Sequence, residues 1–220
     1  MTASSSVAFF DTQLQRQVRD GDFALNPFEK AALPYLRGRV LDFGCGLGNL
    51  AVAAAERGCS VVGLDASHTA IEHLRRVASD RRLPIEAYEA ELRDYELRED
   101  FDMVVSIGLL MFFDCPSAFR QLANLQSHVR DDGIAVVNVL VEGTTYLEMF
   151  DARGHCLFAR EEMRDRFTGW NMLRYDYQDF DAPSRSVKSF VTVVAQKGSA
   201  SAGTEPSRTS RTRSNRPASA

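Results

Sequence analysis

A chain of 220 residues, 45% hydrophobic and 25% charged, has the makeup of one soluble globular domain with a sizeable core. No apolar run approaches the ~20 residues of a membrane span, and Met1 to Val7 lack the basic head and apolar core of a secretion signal, so a cytoplasmic protein is expected. The net charge of −4 is unevenly spread: residues 198–220 carry Arg208, Arg211, Arg213 and Arg216 against Glu205 alone, and removing that +3 leaves an acidic body at −7, which argues against a broad nucleic-acid surface.

In chain order, Phe9, Phe10, Leu14 and Val18 fall at near-helical spacing, and a helix should end near Asp20-Gly21. Asn26 can cap a second short helix with Pro27 at its first position. From Arg39 onward apolar runs alternate with helical patterns. Strands are expected at 39–43, 60–65, 84–88, 102–107 and 133–140, with helices at about 48–58, 67–79 and 116–129. That alternation implies a parallel sheet with right-handed crossovers. The end departs from it: a helix at 160–167 precedes strands from Trp170 to Tyr177 and from Lys188 to Ala195. Residues 198–220, rich in Ser, Ala, Thr and Pro, read as a disordered tail. Cys45, Cys59, Cys115 and Cys156 form no C-x-x-C, so all four are expected as reduced thiols, with neither a zinc site nor a disulfide framework.

The chemistry concentrates after the first strand. Val40-Leu41-Asp42-Phe43-Gly44-Cys45-Gly46-Leu47-Gly48-Asn49-Leu50 carries an apolar strand into a glycine turn that opens a helix. The turn reads G-x-G-x-G, not the G-x-G-x-x-G of dinucleotide sites. Its glycines allow a sharp turn and a close backbone approach to a ligand. The second strand ends in Asp65, where an acidic residue can accept hydrogen bonds from ribose hydroxyls. After the third strand come Glu89, Glu91, Leu92 and Asp94. The fourth continues through Ser106 and Ile107 into Gly108-Leu109-Leu110-Met111-Phe112-Phe113, where Phe112 or Phe113 suits an acceptor wall.

The glycine turn resembles motif I of the class I S-adenosylmethionine methyltransferases. Within that class, Val105 to Phe113, Cys156 to Arg164 and the Phe167-Thr168-Gly169-Trp170 turn are similar to the tellurite-resistance methyltransferase family. The resemblance covers residues 39–197 and implies a Rossmann-like α/β fold, with a seven-stranded, mostly parallel sheet, helices on both faces and a C-terminal antiparallel hairpin. It also implies an N-terminal helical segment, 1–38, over the cofactor mouth. S-adenosyl-L-methionine would be held by Asp42, Gly44, Cys45, Gly46, Gly48 and Asn49 at the turn, Asp65 and Ala66 at the ribose, and Ser106 and Ile107 at the methionine. Glu91, with the Leu92 amide, would meet the adenine, Asp94 competing for that place.

Family members methylate small soft nucleophiles, so a chalcogen oxyanion or thiol is the implied acceptor, taken in line without a metal. A soft acceptor needs no general base, whereas a hydroxyl, amine or neutral thiol gains from one. Asp11, Glu142, Tyr146, His155 and Arg160 lie near the sheet's carboxyl edge, and Arg160 suits an anion. Tyr146, Arg160 and His155 are the catalytic candidates. A larger metabolite as acceptor, a non-catalytic cofactor-binding regulator and a nicotinamide dehydrogenase are the alternatives; the glycine spacing disfavours the last. A small-molecule partner, no nucleic acid, no membrane and a monomer or homodimer complete the expectation.

Overall fold

The computed structural model describes residues 5–150 and 154–199, with side chains from Asp11 onward. Seven strands form one sheet: β1 (Arg39–Phe43), β2 (Ser60–Asp65), β3 (Ile85–Glu89), β4 (Phe101–Ile107), β5 (Val129–Leu140), β6 (Asn171–Ala182) and β7 (Ser186–Gln196). Their order is β3-β2-β1-β4-β5-β7-β6. The first five are parallel, and β7 runs antiparallel to both its neighbours. Among the described residues six α-helices accompany them: α1 (Ser5–Asp20), α2 (Pro27–Ala32), α3 (Asn49–Ala55), α4 (His68–Arg81), α5 (Cys115–Ser127) and α6 (Glu162–Arg166). The expected Rossmann-like fold is therefore present. Among the described residues no helix is long and apolar enough to cross a membrane.

Strand alternation sorts the core into two layers. Leu41, Phe43, Val104, Val137 and Val139 face one way, against Ala118, Leu122 and Leu125 of α5 and Met163 of α6. Val40, Val61, Val105 and Val136 face the other way, against Leu50, Ala51 and Ala54 of α3, Ile71 and Leu74 of α4 and Ala32 of α2. The run of alanines in α3 brings that helix close to the sheet.

The helix starts follow local chemistry. The Asn26 side chain accepts from the Phe28 and Glu29 amides while Glu29 Oε2 accepts from the Asn26 amide, a complete capping box. Ser67 caps α4 and Asp114 caps α5. β5 begins at Val129, four residues earlier than its apolar run suggests. Val129 pairs with Phe101, the register then slips, and Asp132 takes a positive φ before Ile134 meets Met103. β6 extends to Ala182 because β7 supplies partners along its whole length, leaving its polar residues exposed.

One expectation is overturned. Cys115 and Cys156 form a disulfide, and only Cys45 and Cys59 are free. Forty-one residues separate the pair, so spacing could not reveal it. Beyond the end of β4, the segment around Phe158 takes a place beside β5: Val141 bridges Phe158, and Cys156 N–H donates to the Met111 carbonyl. That route carries Cys156 onto the first residue of α5.

Candidate active site

The glycine turn lies at the carboxyl edge between β1 and α3. Gly44 and Gly48 have φ of +86° and +77°, a region only glycine occupies without cost. A Cβ on Gly44 would stand 2.9 Å from Leu109 Cδ2, and one on Gly48 only 2.4 Å from Leu74 Cδ1. Both glycines thus serve the turn and the close packing beneath it. Gly46 is open by comparison, with Leu14 of α1 as the neighbour nearest its Cβ position, at 3.8 Å.

The amides of this turn are already engaged. Gly44 and Cys45 donate to the Leu64 carbonyl at 2.8 and 3.0 Å, Gly48 donates to the Cys45 carbonyl at 2.9 Å, and Gly46 donates to Asp65 Oδ2 at 2.8 Å. A loop that cradles a pyrophosphate keeps such amides free for the ligand. Here the Gly44, Cys45 and Gly46 amides go to β2, and that of Gly48 stays within the turn.

Carboxylates surround it. Asp65 Oδ1 accepts from the Ser67 amide at 2.8 Å, and Ser67 Oγ meets Asp11 Oδ1 of α1 at 2.7 Å. Each Asp65 oxygen therefore retains a lone pair for a hydroxyl donor. Asp42 is 5% exposed, and its Oδ2 has no partner. Burial, then the charges of Glu29 and Asp65, push its pKa up to about 8. Burial likewise raises Asp65 and Glu29. Burial holds the Cys45 thiol well above its ordinary range, so it stays neutral.

The remaining predicted cofactor residues spread along the same edge. Asn49 opens α3, and Ala66 follows β2. Glu91 is exposed and accepts from the Arg93 amide, whereas the Leu92 side chain is buried in the α5 layer. Ser106 is fully buried with an unpartnered Oγ, facing the side opposite to Asp42, and Ile107 shares the Asp42 side.

Of the catalytic candidates, Tyr146, with Phe150, packs against Met111, Leu140 and Met149, and the His155 ring stacks on Phe150 at 4.4 Å between centroids. Lys188 Nζ sits 4.6 Å from the centre of the Tyr146 ring. The Arg160 guanidinium lies over Tyr177 of β6, and its Nη2 is 3.5 Å from where a Cβ on Gly143, just past the end of β5, would stand. Its carbonyl accepts from the Tyr175 and Tyr177 hydroxyls.

Sequence reasoning missed Asn138 and Glu29. Asn138 is fully buried on β5, its Nδ2 donates to Val191 O and Thr192 Oγ1 of β7, and its Oδ1 has no partner. A lone polar residue inside an apolar strand was the available signal. Glu29 drew no attention, because nothing in its spacing pointed to Asp42.

The fit to S-adenosylmethionine can be judged from these atoms. That cofactor is a net cation, with a sulfonium and an ammonium against one carboxylate. A buried carboxyl at Asp42 with an unpartnered Oδ2, half-buried ones at Asp65 and Glu29, and engaged turn amides suit a cation and a ribose, and disfavour a pyrophosphate.

The comparisons agree with the geometry. Residues 40–133 match the family described as a methyltransferase domain. The chain is 26% identical to Hemagglutinin 1 of Eikenella corrodens over 72% of its length and 54% of that protein's. It is 22% identical to the probable S-adenosyl-L-methionine-dependent methyltransferase TehB of Haemophilus influenzae, over 72% of this chain and 57% of that protein. It thus spans about half the length of these curated relatives. The crystal structure of TehB superposes with a TM-score of 0.72 at 19% identity, covering 82% of this chain and 65% of that one. Magnesium protoporphyrin IX methyltransferase from Synechocystis, with bound S-adenosylhomocysteine, gives 0.57 at 18% identity, covering 87% and 83%.

Fold, glycine turn and the match over residues 40–133 together make the chain similar to class I methyltransferases, proteins whose cofactor is S-adenosyl-L-methionine. Among them the chain resembles TehB in sequence and in fold.

Proposed function

We propose that this protein transfers a methyl group from S-adenosylmethionine, in line, to a small soft acceptor. The observation that carries the reading is the cradle at the β1 edge, where the Gly44, Cys45 and Gly46 amides are engaged by β2 and the carboxyls of buried Asp42 and half-buried Asp65 remain. Asp65 takes the ribose hydroxyls, and Glu91 with the Leu92 amide takes the adenine. Gly44, Gly46 and Gly48 let the backbone lie against the ligand, with Cys45 as a neutral filler. Asn49, Ala66, Ser106 and Ile107 complete the wall. α1 covers the mouth, since Asp11 and Leu14 reach Ser67 and Gly46.

The cofactor supplies an activated methyl on a sulfonium, so the protein's task is alignment and exclusion of water. The patch of Met111, Leu140, Met149, Tyr146 and Phe150 is apolar and polarisable, which favours a thiol or reduced chalcogen over a large polar acceptor. As the new bond to carbon forms, the C–S bond of the sulfonium breaks and its electron pair stays on sulfur. His155 stands by to take a proton from a neutral thiol, and Tyr146 orients the acceptor. Arg160, stacked on Tyr177, serves the β6 edge.

Parallel calorimetric titrations with S-adenosylmethionine, S-adenosylhomocysteine and NAD test the frame. Micromolar binding of the two sulfur cofactors and none of NAD is expected. Methyl transfer from labelled cofactor to small thiols, selenite and tellurite then tests the acceptor. Binding without turnover across that panel would favour a regulatory protein.

A further inference from the structure

Glu29 is a half-buried acid. It sits on α2, which packs against the sheet face that carries Asp42: Ala32 is fully buried there, and Phe28 packs on Phe180 and Phe190. One of its oxygens, Oε2, accepts from the Asn26 amide at 2.7 Å. No cation pairs with it among the described residues. Asp42 lies beneath on the same face, 5% exposed, with Oδ2 unpartnered. The two carboxyls feel each other, since the charge of Glu29 is among the causes that raise Asp42. Buried carboxylates in proteins are normally paired with a cation or bound to a metal. Among the described residues no group of three or more His, Cys, Asp or Glu is placed to hold a metal. Both groups are acceptors when ionised, so the missing partner is a donor that brings positive charge.

We propose that Glu29 is a second carboxylate for the cofactor's amino-acid arm: with Asp42 it holds the α-ammonium, and α2 is thereby a cover seated by the cofactor itself. The proposal rests on the methyltransferase reading. It gives α2 a reason to carry a half-buried acid, and it makes the amino-acid arm, not the nucleoside, what fixes the N-terminal segment.

The test compares two ligands on wild type and Glu29→Gln. S-adenosylhomocysteine carries the amino-acid arm, and 5′-methylthioadenosine has the same nucleoside and thioether without it. Glutamine keeps an acceptor for the Asn26 amide, so the capping box survives; a thermal melt of the free variant checks this. Titration calorimetry should show S-adenosylhomocysteine weakened by about tenfold or more, with 5′-methylthioadenosine unchanged. Equal weakening of both ligands would mean that Glu29 only supports the fold, and unchanged S-adenosylhomocysteine affinity would mean that it touches nothing; either result overturns the proposal. Failure of wild type to bind S-adenosylhomocysteine at all would instead remove the methyltransferase reading beneath it.

Discussion

At the scale of single residues, the candidate site gathers the buried carboxyl of Asp42 with the half-buried ones of Asp65 and Glu29, whose protonation is set by their surroundings. Asp42 would ionise near 3.8 in the unfolded chain and near 8 in the folded one. Between those values the folded state holds the extra proton, so the cofactor-free protein loses stability as pH rises from about 4 to about 8. Urea unfolding at pH 5 and pH 8 should show that fall, and Asp42→Asn should reduce it. A cationic ligand favours the ionised carboxylate, so affinity for S-adenosylmethionine should rise over the upper part of the same window. Asp42→Asn should remove that rise, which titrations at pH 6 and pH 8 would reveal. With the proposed ribose contact at Asp65, Asp65→Ala should lower cofactor affinity about tenfold or more; unchanged affinity would refute that role. Gly48 tests the packing. A Cβ there would collide with Leu74, which is fully buried and cannot withdraw, at a φ that alanine resists. Gly48→Ala should cost about 2 kcal/mol or more, read from the denaturant midpoint.

At the scale of elements, the disulfide is the feature with the largest consequence. It ties the start of α5 to the segment that carries His155 and Phe158, the wall of the suggested acceptor patch. Thiol titration of the unfolded, unreduced protein should count two free thiols, those of Cys45 and Cys59. Reduction should lower stability by about 4 kcal/mol, the chain-entropy value for a loop of this size. Cys156→Ser should unfold at the same midpoint with and without reductant. Most elements were legible beforehand because their signals are local. β1 and β2 have their expected bounds, α2 has its Asn26-Pro27 start, and α3, α4 and α5 stand where the alternation places them. The misses have non-local causes. The start of β5 depends on a pairing with Phe101, and the length of β6 depends on β7.

At the scale of the whole molecule, the described body closes at Lys197. Its amide donates to Gly133 O, its carbonyl accepts from the Asp132 amide, and its Nζ reaches the Val129 carbonyl at 2.6 Å. The arginine-rich stretch expected as a disordered tail lies, from residue 200, outside the described residues, as do the side chains of Phe9 and Phe10. A chain ending at Lys197 should keep its melting temperature and its cofactor affinity. One ending at Thr192 should fail to fold, because β7 bridges β5 and β6 and Val193, Val194 and Ala195 are fully buried.

What the sequence determined by itself was the class of fold and the place of its glycine turn. Strand periodicity, the glycine turn and an acid two residues before it are local patterns, and backbone geometry turns them directly into a parallel sheet edge with a tight loop. What the tertiary structure decided were relations across the chain: the Cys115–Cys156 bond, the engagement of the Gly46 amide by Asp65, and the seat of the Arg160 guanidinium over Tyr177. These depend on which strand lies beside which and on which face a side chain leaves. Spacing along the chain does not carry that information, because residues distant in sequence meet only after the sheet has paired and the helices have covered it.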